Sequence, residues 1–215
     1  GKNVLGYPCS LYRNMGGFRF QDASSATGLN KVAFQYSHGA TVLDYDCDGW
    51  PDLLVTGYNR LVLLHNEKND EGSRVWVDVT AKAKLNDTQW STSAASADLD
   101  GDGDEDLLFT QTGGAPLLLR NDRPIDRRWV RLKLVGTRAN RDALGATVQL
   151  KAGGKTQWRT VTANRGYLSS SALPLTFGLG EATGVESIEV VWPGGQRQSV
   201  PAPQPGTVTE VRQAN

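Results

Sequence analysis

Two nine-residue stretches constrain the fold of this chain more than any other feature of the sequence. DYDCDGWPD spans residues 44–52 and DLDGDGDED spans residues 98–106, and both fit the pattern D-x-D-x-D-G-x-x-D. Carboxylates this close repel one another unless a cation lies between them. Each stretch therefore predicts a tight loop whose alternate side chains turn toward one centre. Gly49 and Gly103 supply the backbone freedom that such a bend requires.

Calcium is the cation that suits these loops best, because it takes about six to eight oxygen ligands. Magnesium keeps more water, and softer metals prefer His or Cys ligands, which the ligand positions lack. Position 12 is Val55 or Phe109 instead of the EF-hand glutamate, so the Asp at position 9 closes the site. We expect calcium at two sites, with a structural role. The predicted ligands, which include the backbone carbonyls of Trp50 and Asp104, are Asp44, Asp46, Asp48, Trp50, Asp52, Asp98, Asp100, Asp102, Asp104 and Asp106.

A pair of solvated Asp-Gly turns is the alternative interpretation of these loops. The occurrence of both at equivalent places of a repeat argues against it. Within the loops, Cys47 is expected to point away from the ion, and the side chains of Asp104 and Glu105 are expected to face solvent.

An internal repeat surrounds the loops. Residues 38–67 align with residues 91–122, and each copy reads strand, acidic loop, strand, turn, strand. The first copy continues into a further strand at residues 73–80, whereas the second has no equivalent, and residues 11–24 resemble the last two strands of such a unit. Helical periodicity is nearly absent and many of the 24 glycines mark turns, so the sequence predicts an all-β fold.

A change of pattern near residues 121–129 predicts a domain boundary, with one domain at 1–125 and a second at 126–215. The first domain carries the acidic loops. In the second, basic residues outnumber acidic ones by six and alternate with apolar residues, which indicates a solvated β surface. The net charge of the whole chain is zero, so nothing indicates a nucleic-acid partner, and no apolar run is long enough to span a membrane.

Catalytic and redox motifs are absent from the sequence. The two cysteines, Cys9 and Cys47, form no CxxC motif, and the pattern leaves open whether they form a disulfide. His38 and His65 show no recognisable catalytic spacing with a Ser or Cys, so we interpret both as structural or surface residues. We therefore expect no enzyme activity, with a polysaccharide hydrolase that uses a carboxylate pair as the alternative.

The motifs resemble two known families. The acidic loops with their following strands DLLVT and DLLFT, and the LYRN…FRFQDAS hairpin, are similar to FG-GAP/VCBS-type repeats, the blades of integrin-α-like β-propellers. LVGTRANRDALGA, GYLSS, FGLG and VVWPGG, within residues 128–195, look like an ASPIC/UnbV domain. The pairing resembles the cartilage-acidic-protein-like family. It implies a partial β-propeller of two to three blades, followed by a small β-sandwich or barrel. It also implies a non-catalytic calcium-binding protein that is secreted, extracellular or periplasmic.

A propeller of this kind closes with about seven blades, and this chain supplies fewer. Three explanations are open: the chain is part of a longer propeller, it assembles with copies of itself, or it docks on another subunit. We expect an interaction or assembly module whose partner is itself or another envelope or extracellular protein. An accessory subunit of a larger envelope complex or filament is the alternative.

Overall fold

The computed structural model describes residues 6–122 and 128–214, except for the side chain of Arg165. Over these ranges the chain forms eighteen β-strands and one short 3-10 helix at Leu29–Lys31, with no α-helix. The all-β prediction is confirmed.

The N-terminal region forms three antiparallel sheets that follow chain order. A hairpin β1–β2 is followed by a four-stranded sheet β3–β4–β5–β6 and a three-stranded sheet β7–β8–β9. These are the strands that the repeat predicts, including the strand that only the first copy has. The strands are β1 Tyr12–Asn14, β2 Phe20–Asp22, β3 Tyr36–Leu43, β4 Asp52–Tyr58, β5 Val62–Lys68, β6 Arg74–Asp78, β7 Ser91–Ala97, β8 Asp106–Gln111 and β9 Leu117–Leu119.

The two larger sheets share one apolar core. Leu54 of β4 and Phe109 of β8 are fully buried in the same cluster, together with Leu43 and Ala94. Successive side chains of DLLVT are buried on opposite faces of the sheet, with Leu54 in this core and Val55 in a second apolar cluster, which favours a strand over a loop. The sheets also join at their first strands, because the Thr41 hydroxyl donates to the Ala94 carbonyl at 3.1 Å. This packing fixes how the two acidic loops lie relative to each other.

The C-terminal region is a two-layer β-sandwich with its own core. One sheet has the order β15–β10–β18, and the other has the order β12–β11–β16–β17. Its core includes Val130, Leu150, Phe177 and Trp192, all almost completely buried. The prediction was a small β-sandwich or barrel, and the structure shows the sandwich. The strands are β10 Arg128–Val135, β11 Thr147–Ala152, β12 Lys155–Thr160, β13 Asn164–Gly166, β14 Ser169–Ser170, β15 Leu175–Gly180, β16 Ser187–Val191, β17 Arg197–Val200 and β18 Thr207–Arg212.

The β13–β14 hairpin extends from this sandwich to the N-terminal sheets. The Ser93 hydroxyl of β7 donates to the Tyr167 carbonyl at 2.6 Å, and the Ala172 amide donates to the Ser96 carbonyl at 3.2 Å. The predicted boundary between residues 125 and 126 lies outside the described residues. Within the described ranges, no helix has the length and apolarity needed to cross a membrane.

Candidate metal centres

Each acidic loop connects the first two strands of a sheet. Residues 44–51 join β3 to β4, and residues 98–105 join β7 to β8. Gly49 has φ +84° and Gly103 has φ +102°, which are left-handed conformations that a side chain disfavours. The predicted role of these two glycines in the bends is confirmed.

The two loops use their carboxylates in the same way. The first Asp of each loop, Asp44 or Asp98, accepts the amide N–H of the loop glycine on Oδ2, at 3.1 Å in both cases. The last Asp of each loop, Asp52 or Asp106, accepts two backbone amides, one on each oxygen. The second and third Asp each accept the amide two residues ahead. The two loops therefore share one backbone hydrogen-bonding pattern in addition to their similar sequences.

Three carboxylates gather in each loop. One oxygen from each of Asp44, Asp46 and Asp52 lies within 4.8 Å of the others, and the second group consists of Asp98, Asp100 and Asp106. Asp48 groups instead with Asp46 and His65, whereas Asp102 belongs to none of the groups found among the described residues. Such sets of carboxylate oxygens are the donors that calcium prefers. The assignment of the Trp50 and Asp104 carbonyls as ligands stays a prediction.

The first loop buries its carboxylates. Asp44, Asp46 and Asp52 are 6%, 5% and 0% exposed. Burial raises the pKa of Asp44 well above its usual range, opposed by the Arg159 charge, and burial raises the pKa of Asp52 to about 7. Asp44 Oδ1 is buried and has no hydrogen-bond partner in the described part of the chain. A buried carboxylate oxygen without a donor is costly, and a bound cation would satisfy it. The residues therefore fit a hard cation.

Two basic residues at equivalent repeat positions were not predicted at these sites. His65 Nε2 lies 3.3 Å from Asp46 Oδ2, and this interaction with the Asp46 carboxylate raises the pKa of His65 to about 9. Arg120 Nη1 lies 3.7 Å from Asp100 Oδ2 in the second loop. The interpretation of His65 as a structural or surface residue agrees with this position, but the sequence analysis did not place it beside the first loop. A sequence signal was available. His65 and Arg120 each precede the Asn whose backbone amide donates to the last Asp of the loop.

The C-terminal sandwich packs against both loops. Gly180 N donates to the Cys47 carbonyl at 3.2 Å, and the indole of Trp129 lies against Gly103. Asp104 is 1% exposed and Glu105 is partly buried, so the expectation that both face solvent is wrong. The physical reason is that the second loop lies against other parts of the fold and not at a free surface.

Two arginines of the sandwich reach the loop carboxylates. Arg131 of β10 forms an ion pair with Asp98, and Arg159 of β12 has Nη2 3.8 Å from Asp44 Oδ2. The side chains of Arg131 and Asp98 are 11% and 1% exposed. Nothing in the spacing of the sequence indicated these contacts, because each arginine lies in an alternating strand pattern typical of a solvated surface.

The cysteines do not form a disulfide. Cys9 and Cys47 are both free thiols, which settles the question that the sequence left open. Cys47 is buried, and its Sγ lies 3.7 Å from the Gly103 carbonyl of the second loop. Its thiol therefore contributes to packing between the two loops.

Comparison with protein families agrees with this architecture. The family model for an FG-GAP-like repeat matches residues 44–109, and the model for ASPIC and UnbV matches residues 136–215. The chain therefore combines an FG-GAP-like repeat with an ASPIC/UnbV domain. The suspected resemblance is confirmed. A comparison with curated proteins gives no match.

The match to the FG-GAP-like repeat includes both acidic loops completely. FG-GAP-like repeats commonly bind calcium, and both acidic clusters of this chain lie in that matched segment. Arg159 belongs to the segment matched to ASPIC and UnbV, whereas Arg131 lies just before it. The combination of the two domains fits an extracellular protein-interaction module and is typical of extracellular or periplasmic proteins.

Proposed function

We propose that this chain is a non-catalytic calcium-binding protein that works outside the cytoplasm as an interaction or assembly module. The observation that carries the proposal is the duplicated loop. Two copies hold their carboxylates with equivalent backbone hydrogen bonds, and in the first copy the buried Asp44 Oδ1 has no donor among the described residues. Solvated turns have no reason to bury a carboxylate in this way.

Calcium would be held by the carboxylates of each loop. Asp44, Asp46 and Asp52 form the nucleus of the first site, and Asp98, Asp100 and Asp106 form that of the second. We include Asp48, Asp102 and the carbonyls of Trp50 and Asp104 as further ligands. The ion supplies positive charge that offsets the repulsion among the carboxylates, which stiffens the connection between two strands of each sheet.

Titration calorimetry of the full chain with calcium tests the metal sites. We expect two binding events and a melting temperature that falls when a chelator is added. Asp44→Asn and Asp98→Asn should each weaken calcium binding at one site by at least about tenfold. Mutation of residues that only hydrogen-bond to metal ligands already costs about that much affinity, and loss of a ligand itself should cost no less. Asp70→Asn, in the exposed β5–β6 turn, is the matched control and should bind as the wild type does. An unchanged melting temperature in chelator would contradict the structural role.

The interaction role is supported by exposed aromatic side chains on the N-terminal hairpin. Tyr12 and Phe20 are 58% and 62% exposed, and Phe18 in the turn between them is fully exposed. Exposed aromatic side chains are enriched at protein-binding surfaces. We propose that the partner is a second copy of this chain or another envelope or extracellular protein.

Light scattering in millimolar calcium and again in chelator tests the partner. A defined oligomer in calcium that dissociates in chelator would support self-assembly held by the loops. A monomer in both conditions would contradict self-assembly and direct the search to copurifying proteins. The non-catalytic part of the proposal fails if the pure chain turns over any member of a polysaccharide panel and an acidic residue outside the loops is required.

A further inference from the structure

The junction between the two domains is built on the acidic loops. Gly178 of β15 lies so close to Cys47 that an added Cβ would overlap the Cys47 backbone, and a Cβ on Gly49 would lie 2.8 Å from the Gly178 carbonyl. Lys155 Nζ lies 3.4 Å from the Asp48 carbonyl. A conformational change in either loop would therefore directly displace residues of the sandwich.

One arginine of the sandwich contacts each loop, and in both loops it lies beside the equivalent oxygen of the first Asp. Asp44 Oδ2 and Asp98 Oδ2 are equivalent oxygens, because each accepts the amide of its loop glycine. Arg159 faces the first of these oxygens and Arg131 faces the second. The arginines come from different strands, so this correspondence does not follow from the repeat itself.

The packing around the arginines holds both in place. Arg131 Nε donates to the Thr176 hydroxyl at 2.9 Å, and the Arg131 guanidinium lies 5.3 Å from the centre of the Trp129 ring. The Arg159 guanidinium lies 5.7 Å from the centre of the Phe177 ring, and its side chain is 19% exposed. A guanidinium carries a positive charge in proteins and is more weakly hydrated than an ammonium group, so it suits partly buried ion pairs of this kind. Each loop therefore has a permanent positive charge beside its first Asp.

We propose that Arg131 and Arg159 are the resident counter-ions of the two loops and that they set the calcium affinity by competing with the ion for the charge of the first Asp. The inference rests on the proposed calcium binding. Without calcium, each guanidinium offsets carboxylate charge and holds the sandwich against the loop. With calcium, the guanidinium and the ion repel each other across one carboxylate. Docking of the ASPIC/UnbV domain and calcium loading are thus linked.

This linkage fixes the sign of the expected effects. Removal of one guanidinium destabilises the calcium-free protein, because a buried carboxylate loses its partner. It destabilises the calcium-bound protein less, because the ion supplies the missing charge. By thermodynamic linkage, the same variant must then bind calcium more tightly.

Calorimetry and thermal unfolding of the full chain test the proposal. Arg159→Gln and Arg131→Gln should each lower the dissociation constant of one calcium site by at least about fivefold, the size of a typical coupling. Each should lower the melting temperature more in chelator than in calcium. Arg197→Gln, which removes an exposed pair with Glu189 on β16, is the matched control and should change neither quantity. Arg159→Lys, which keeps the charge, should stay near the wild-type affinity.

The possible results are distinguishable. Equal losses of melting temperature in calcium and in chelator, with unchanged affinity, would mean that the arginines only pack and would overturn the inference. Weaker calcium binding would mean that they orient the ligand, which also overturns it. If Arg131→Gln fails to fold, Arg159→Gln decides the matter, because Arg159 is the less buried of the two. Absence of calcium binding in the wild type would overturn the proposed function and this inference together.

Discussion

Cys47 is a useful reporter at the scale of single residues. It lies between two predicted ligands, is 1% exposed and touches both the second loop and the sandwich. Burial, with the neighbouring carboxylates adding to it, raises the pKa of the Cys47 thiol. A thiol that is both buried and protonated is a poor nucleophile.

We predict that iodoacetamide labels Cys9 in the native protein and leaves Cys47 unlabelled. Cys9 is only partly buried, so the reagent can reach it. Mass spectrometry of the intact native protein should show one modification, and the urea-unfolded protein should show two. Equal labelling of both thiols without denaturant would contradict the packing of the first loop against the sandwich.

Gly178 offers a second prediction at this scale. Its φ angle is one that any residue can adopt, but the Cys47 backbone occupies the space that a side chain would take. Gly178→Ala should therefore lower the free energy of unfolding by about 1–3 kcal/mol, as overpacking does. Gly184→Ala is the control, because an added Cβ there meets no atom within 4 Å. Urea denaturation measures both variants, and equal stabilities would show that the junction yields without cost.

The inner faces of the strands join the two repeat sheets. Leu54 of β4 is 0% exposed and packs in the core shared with β8, whereas Leu108 on the outer face of β8 is 44% exposed. Leu54→Ala should cost about 2–5 kcal/mol of unfolding free energy, the range for a buried leucine. Leu108→Ala should cost much less. Comparable losses in chemical denaturation would contradict the assignment of the inner faces.

Strand β7 was predicted correctly, but the reason for its small side chains lies in a distant part of the chain. Its run of small residues leaves room for the β13–β14 hairpin, which contacts Ser93 through Tyr167, and for Ala172 just after the hairpin, which contacts Ser96. The repeat and the acidic loop that follows predicted this strand. The partner that makes small side chains necessary is about seventy residues away in the chain, where no local pattern connects the two.

The described residues form three buried apolar clusters, one in the sandwich and two in the N-terminal region, and the acidic loops lie where the two regions meet. The core of the sandwich is formed by residues from Val130 to Val211, with none from the N-terminal sheets. We predict that residues 126–215 produced alone fold cooperatively, as judged by thermal unfolding and by dispersed amide signals in nuclear magnetic resonance. A disordered fragment would contradict the domain boundary at residue 126 and would mean that the loops hold the sandwich together.

The sequence alone was sufficient for the all-β class, the repeat, both acidic loops and the glycines at their bends. These features depend on contiguous residues, where the spacing of Asp and Gly dictates the local backbone. The tertiary structure decided which charges meet. Arg131 and Arg159 reach the loops, and Asp104 is buried, because separate strands fold to the same place; Arg131 is 33 residues from Asp98 in the chain. Such contacts arise from packing between sheets, which leaves no periodic trace in the sequence of either partner.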